Sequence, residues 1–412
     1  MYERDTSATI HGRAPECVAQ GSHSWARLDG VDILRGLAIF FVLMNHVNIR
    51  LFLAKIPYTQ GLPSQLVSSL VWNGLYGVQM FFAVSGFLIT STSIRRWGSL
   101  SRVSVRDFYA LRFARIGPLL LLLLAVLCTL HAAGLKDFVI SEKAGGLGRA
   151  LIAALTFHVN VLEAHRGYLP GNWDILWSLS VEEMFYLFFP PVCWLLGRSK
   201  WFVAFLLIFA VIGPFARTIL AHGNEVWQEY SYLGGMDAIA LGCLTAMATR
   251  RIAIPRGANR VLAGVGAVLV LFILGLSNQT EAWGLGRRGV DMSILAIGIC
   301  MVIAAAAQTR WRGPRVLLPL IALGRRSYEV YLTHMFVVFA LFGLYKSVGL
   351  PLGAVPVLFI GVILISSLLG ELVARFYSEP MNRLIRRRLG EGPERLGSVI
   401  RTESANRRAQ RA

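Results

Sequence analysis

The chain has 412 residues, 55% of them hydrophobic and only 16% charged, where a soluble domain of ordinary composition carries about 25% charged residues. That balance excludes an ordinary soluble domain and points to a protein that crosses a bilayer many times. The formal net charge of +18 does not point to nucleic acid, because no basic stretch interleaves with aromatics; the cytoplasmic loops of a membrane protein account for it.

In chain order, the first 27 residues are polar and hold no apolar core of signal-peptide length; they are expected to form a cytoplasmic segment. Apolar blocks follow at 33–53, 67–93, 116–134, 150–162, 176–197, 201–221, 231–248, 261–277, 291–307, 327–345 and 352–376, most of them near the roughly 20 residues a helix needs to span. The block at 150–162 is short and is interrupted by His158 and Asn160.

Loop charge fixes the expected topology. The connection 94–115 holds Arg95, Arg96, Arg102, Arg106, Arg112 and Arg115 against one aspartate, 249–260 and 308–326 hold arginines and no acid, and arginines crowd the stretch after Pro380. All of these belong on the cytoplasmic side. Eleven spans put every basic loop after 162 outside. Treating 150–162 as a re-entrant or surface helix restores all of them together, leaving Arg287 and Arg288 as exceptions. The expected fold class is therefore an all-α polytopic membrane protein of about ten transmembrane helices, both termini cytoplasmic. The cysteines (Cys17, Cys128, Cys193, Cys243, Cys300) show no paired spacing, so neither a metal site nor a disulfide framework is expected.

Ionisable groups inside apolar blocks mark functional sites, because burying them is costly. In "DILRGLAIFFVLMNH", Arg35 and His46 are eleven residues apart, three turns plus roughly 20°, so they share a helix face about 16 Å apart along the axis. Asp32 is placed to pair with Arg35. Arg35 also reads as a snorkelling anchor at the positive side. In the second block Gly74, Gly77 and Gly86 thin the helix for close approach. Arg112 and Arg115 lie at i, i+3 at the mouth of the third span, suited to a polyanion such as nucleotide phosphates, or to topology alone. In "WSLSVEEMFYLFFP", Glu182 is taken as the carboxylate that points into the bundle. Ser327, Tyr331 and His334 share a face at i, i+4, i+7. Asp237 and Glu379 complete the set, Glu379 reading best as a helix-end cap.

These motifs occur in a fixed order: an arginine and histidine in the first span, "GVQMFFAVSGFLI", an R-x-x-R pair, "WSLSVEEMFYLFFP", "GRRSYEVYLTH" and a late "EP". In that order the chain resembles the membrane acyltransferase 3 family, the OafA-like O-acyltransferases, over about residues 28–382. The resemblance implies a transmembrane acyltransferase domain over 28–380 and a basic cytoplasmic tail over 381–412. It implies a bacterial inner-membrane enzyme that moves an acyl group, acetyl by default, from cytoplasmic acyl-CoA to a carbohydrate hydroxyl. Acyl-CoA is then a co-substrate, and no bound cofactor is expected. Activity in the family is tied to the residues matching Arg35, His46, Arg112 and Arg115. A neutral imidazole is the natural base for a sugar hydroxyl, so His46 is read here as general base or acyl carrier, with Glu182 to orient or charge-balance it and Ser327, Tyr331 and His334 as candidate substrate-binding residues. Some relatives carry a soluble hydrolase-like domain at the C-terminus, and this chain is expected to do without one. A transporter or flippase of a lipid-linked or small polar substrate is the alternative, since buried Arg, His and Glu also line substrate pathways.

Overall fold

A computed structural model of the chain describes residues 28–309 and 311–389. The segment 1–27, Cys17 and the tail from residue 390 lie outside the described residues. The first helix, α1 (Asp29–Leu53), carries Asp29 and Asp32 in its first turn and Arg50 in its last, charges that complement its dipole. Its 25 residues extend about 37 Å, more than the roughly 30 Å of a hydrocarbon core. The block expected at 67–93 is divided. A short α2 (Ser64–Val71) stops at Trp72, and α3 (Gly74–Trp97) begins after Asn73 and ends at Gly98, whose φ of 77° suits glycine.

The third span begins earlier than its apolar block. Ser104 accepts a hydrogen bond from the Asp107 N–H and opens α4 (Val105–Ala132), so Arg112 and Arg115 sit within this helix instead of ahead of it. The block at 150–162 becomes α5 (Gly146–Leu155) and α6 (Val159–Arg166), separated at Phe157, where φ is 57°. Neither crosses a bilayer: α5 has 10 residues, about 15 Å of helix. The short α7 (Gly171–Asp174) leads into α8 (Leu176–Leu196). Then come α9 (Lys200–Ala216), α10 (Glu225–Tyr230), α11 (Tyr232–Arg251), α12 (Arg256–Gly275), α13 (Ser277–Ala282), α14 (Asp291–Gln308), α15 (Leu318–Arg325), α16 (Ser327–Ser347) and α17 (Val355–Val373). A π-helical turn at 374–378 joins α17 to α18 (Glu379–Arg388), so part of the stretch expected as a solvated tail is helix.

Among the described residues, nine helical segments are long and apolar enough to cross a membrane. The apolar α9, at 17 residues, is a shorter tenth. The chain is an all-α, multi-pass membrane protein. Within the bundle α3 is central, packed on α1, α11 and α14; α1 packs on α15 and α16, and α16 on α17. The grading is visible in burial: 67% of the span window of α3 is covered, against 22% for the segment Leu352–Arg388. Residues such as Leu271, Leu364 and Leu368 remain exposed on outer faces, a surface suited to acyl chains.

The glycines of α3 serve helix packing. A Cβ on Gly86 would stand 1.9 Å from the Ile239 carbonyl oxygen in α11, so any side chain there would force the two helices apart. A buried ion pair locks the same region. Arg217, just past α9, donates to Asp237 Oδ2 at 2.8 Å, to Ser293 Oγ at 2.7 Å and to the Gly289 carbonyl. Gln79 of α3 donates to Asp237 Oδ1 at 2.8 Å. Four elements are tied through one carboxylate. The cysteines Cys128, Cys193, Cys243 and Cys300 are free thiols.

Candidate active site

The site forms where α1 faces α16. The Arg35 Nε–H donates to Ser327 Oγ at 3.1 Å, and Asp32 Oδ1 lies 3.9 Å from Arg35 Nη1. Asp32 is more closely held by Arg325, whose Nε is 3.1 Å from its Oδ2; Arg325 also reaches Asp29 at 3.2 Å. Three turns further along α1, His46 meets His334, with 3.4 Å between His334 Nε2 and His46 Nδ1. Between these pairs, the Tyr331 hydroxyl lies 2.6 Å from Ser178 Oγ of α8 and donates to the Ile175 carbonyl at 3.0 Å. The face formed by Ser327, Tyr331 and His334 therefore meets three different partners in turn.

Two cavities open beside this seam. The larger, about 470 Å³, is lined by Arg35, Arg95, Arg115, Arg325, Arg326 and Arg386 among other residues, with Asp32, Glu329 and Glu379 as its carboxylates. The smaller, about 210 Å³, is lined by Arg35, Arg112, Arg115, Glu182, Ser327 and Tyr331 together with the apolar Val78, Phe81 and Leu332. Arg35 and Arg115 line both. These basic groups come from α1, α3, α4, the end of α15 and its junction with α16, and α18, elements far apart in sequence. Arg96, Arg102, Arg106 and the arginines of 249–260 do not line this cavity, and Arg112 lines only the smaller one. Arg325 and Arg326 are largely neutralised: Arg325 by Asp29 and Asp32, Arg326 by Glu371 at 2.6 Å and by Glu379. Glu379 thus acts as an ion-pair partner as well as opening α18.

Arg112 is engaged from two sides. Its Nη2 lies 3.1 Å from Oε1 of both Glu182 and Glu183, and its guanidinium stacks 3.5 Å over the Tyr186 ring. Glu182 faces the smaller cavity, where it also accepts from Ser85 and from the Tyr186 hydroxyl, the latter at 2.7 Å. Glu183 is the more buried of the two, at 8% side-chain exposure against 24%. The partners of Glu182 are Arg112, Ser85 and Tyr186, and the partner of His46 is an imidazole; the expected Glu182–His46 pairing does not form. His46 lines neither cavity. His334, expected on the substrate path, is fully buried and also lines neither cavity.

Sequence reasoning overlooked Arg217 although it falls inside the apolar block 201–221, an available signal. It also passed over Arg325 as a partner for Asp32. Tyr186 and Glu183 carried no separate signal, since either of two adjacent glutamates fits a helix that turns inward.

The sequence pattern of the Acyltransferase domain family matches residues 28–371, and the chain belongs to that family of multi-pass membrane proteins. Among individual relatives it is 26% identical to O-acetyltransferase OatA of Staphylococcus aureus (strain NCTC 8325 / PS 47) over 403 residues, covering 91% of this chain and 60% of that protein. It is also 26% identical to peptidoglycan O-acetyltransferase OatA of Listeria monocytogenes serovar 1/2a over 327 residues, covering 74% and 48% of the two chains. A putative O-acetyltransferase of Staphylococcus aureus (strain COL) is 24% identical across 86% of this chain. The chain spans about three-fifths of the length of the first of these relatives. No solved structure gives a significant match.

Proposed function

We propose that the chain is an O-acyltransferase that moves an acyl group, acetyl by default, from acyl-CoA to a carbohydrate hydroxyl. The observation that carries this reading is the position of Arg35: it lines both cavities, and its own helix carries His46 eleven residues further on. A cytoplasmic coenzyme A would enter the arginine-rich cavity, where Arg35, Arg95 and Arg115 meet its phosphates with charge-assisted hydrogen bonds. The smaller, more apolar cavity then receives the pantetheine arm and acyl group and directs the thioester along α1 toward His46. Tyr331, which borders that cavity, stands 5.8 Å from the His334 ring and is the last side chain the acyl group passes. Both termini face the cytoplasm in this reading, because the basic cavity and the arginine-rich connections share one end of the bundle.

At His46 a neutral imidazole takes the proton of the acceptor hydroxyl as the alkoxide forms, a role worth roughly 10²–10⁴-fold in rate. Arg112, bound to Glu182 and Glu183, organises the cavity wall more than it binds the donor. The acceptor is proposed to be a surface glycan, and the likeness to the Listeria peptidoglycan O-acetyltransferase makes peptidoglycan strands the first to try. Purified chain in proteoliposomes, given labelled acetyl-CoA and peptidoglycan glycan strands, is expected to form alkali-labile acetyl esters. His46→Ala should lose at least about 100-fold of this rate. Full activity in a folded His46→Ala protein removes His46 from the mechanism; movement of glycan across the bilayer without ester formation replaces the enzyme by a flippase.

A further inference from the structure

The two histidines constrain each other's protons. His334 Nδ1 lies 2.7 Å from the Tyr331 carbonyl oxygen. A carbonyl only accepts, so Nδ1 bears the hydrogen and, in a neutral ring, Nε2 is a lone pair. His46 Nδ1 lies 2.8 Å from the Val42 carbonyl oxygen, one turn back in its own helix, so it bears a hydrogen too. The His334 Nε2 lone pair stands 3.4 Å from that same N–H. The ring centroids are 4.9 Å apart and the planes are inclined by 67°, so one ring presents its edge to the other. Two acceptors thus converge on His46 Nδ1–H. The opposite tautomer would turn a lone pair toward two other lone pairs, with no donor among them.

We infer that His334 is a positioning residue that holds His46 in its Nδ1–H tautomer and leaves Nε2 as the atom offered to substrate. This rests on the proposed role of His46 as base. In the transfer step the hydroxyl proton moves to His46 Nε2 as the oxygen attacks the thioester carbon. The C–S bond then breaks, and the departing thiolate recovers that proton from Nε2, giving ester and coenzyme A thiol. While the ring is cationic, the bond from His46 Nδ1–H to His334 Nε2 is charge-assisted and strengthens. The second imidazole therefore supports the transition state more than the resting state, which is how a group that never touches substrate alters kcat. His334 is 0% exposed whereas His46 is partly exposed, as a supporting group and a reacting group should be.

The test separates tautomer from catalysis. Full-length protein labelled with ¹⁵N-histidine in lipid bilayers gives ring-nitrogen shifts for its 8 histidines, and the His46 signals are those lost in His46→Asn. Wild type should show Nδ1 protonated and Nε2 bare. His334→Phe keeps a ring but removes the acceptor; its His46 signals should move toward a tautomer mixture. Transfer of labelled acetyl from acetyl-CoA to peptidoglycan glycan strands should fall about 10–100-fold in kcat with KM for acetyl-CoA unchanged. His334→Gln, which restores an acceptor oxygen, should recover part of both. A wild-type His46 protonated on Nε2 overturns the inference without reference to activity, as does a folded His334→Phe protein with unchanged shifts and unchanged kcat. If the tautomer is as stated and His46→Ala still transfers acetyl at the full rate, it is the catalytic reading of His46 that fails.

Discussion

Arg35 and Ser327 are 292 residues apart in sequence, yet the arginine Nε–H donates to the serine hydroxyl at 3.1 Å. The bond joins the first span to α16 at the point where the two cavities meet, and it aims a guanidinium that would otherwise sweep a wide arc. Ser327→Ala should therefore weaken acetyl-CoA binding through Arg35. A hydrogen bond to a charged group is worth about 1.5–3 kcal/mol, so a loss of about 10–150-fold in affinity is the ceiling if the whole bond serves donor binding, and a loss of at least several-fold is expected by calorimetry on the reconstituted protein. Arg35→Lys should do no better, because an ammonium cannot reproduce the guanidinium fork. An affinity unchanged by Ser327→Ala would detach this contact from donor binding.

Arg112 places the opposite demand on the fold. It is a buried cation between two carboxylates and a ring, and removing it leaves Glu182 and Glu183 facing each other without a counter-charge. Arg112→Ala should destabilise the protein by about 3–5 kcal/mol, read as a lowered thermal transition in detergent. Glu183→Gln should affect stability with little change in donor affinity, since Glu183 lines neither cavity. Equal loss of donor affinity in Glu182→Gln and Glu183→Gln would show that the two carboxylates are not divided in this way.

The Arg217–Asp237 pair predicts a purely structural phenotype. Asp237 is fully buried, and its loss strands a guanidinium inside the bundle. Asp237→Ala should cost about 3–5 kcal/mol, while the molecules that do fold keep the wild-type specific activity. The double variant Arg217→Met with Asp237→Leu should be more stable than Asp237→Ala alone, because no unpaired charge remains. Should folded Asp237→Ala protein lose transfer activity, the pair belongs to the site as well as to the frame.

On α6, Glu163 is fully buried and its Oε1 accepts the Leu169 N–H at 3.0 Å. Burial pushes its carboxyl well above the usual carboxylate range, and the neighbouring Asp174 pushes in the same direction. A carboxyl raised in the folded state gives stability that is complete below its unfolded value, about pH 4.3, and lost as pH rises through the folded value. Hydrogen exchange at residues 159–169, corrected for the intrinsic rate, should show protection declining with rising pH. Glu163→Gln should flatten that decline. A pH profile identical in the two proteins would rule the carboxyl out as its source.

Much of this was legible in one dimension. Apolar runs mark the spans because a bilayer imposes both a length and a composition, and charged connections mark one face. The break of 150–162 was readable only roughly from His158 and Asn160: α5 stops earlier, at Leu155, His158 precedes α6, and Asn160 lies within α6. The shared face of Ser327, Tyr331 and His334 followed from helical period alone. Element ends were less legible: α4 begins at Val105, well before its apolar run, because a cap and not hydrophobicity starts a helix.

What the sequence by itself determined is a many-span helical membrane protein of one family, with Arg35 and His46 on one stripe of its first helix. Only the tertiary structure decided which groups those residues meet: His334 and not Glu182 beside His46, Ser327 beside Arg35, two glutamates around Arg112, and Arg217 closing on Asp237. The reason is physical. Period and hydropathy fix which face of a helix turns inward, but the partner across the interface depends on the order, rotation and depth at which the helices pack, and those follow from close approaches such as Gly86 on the Ile239 carbonyl that no single segment encodes.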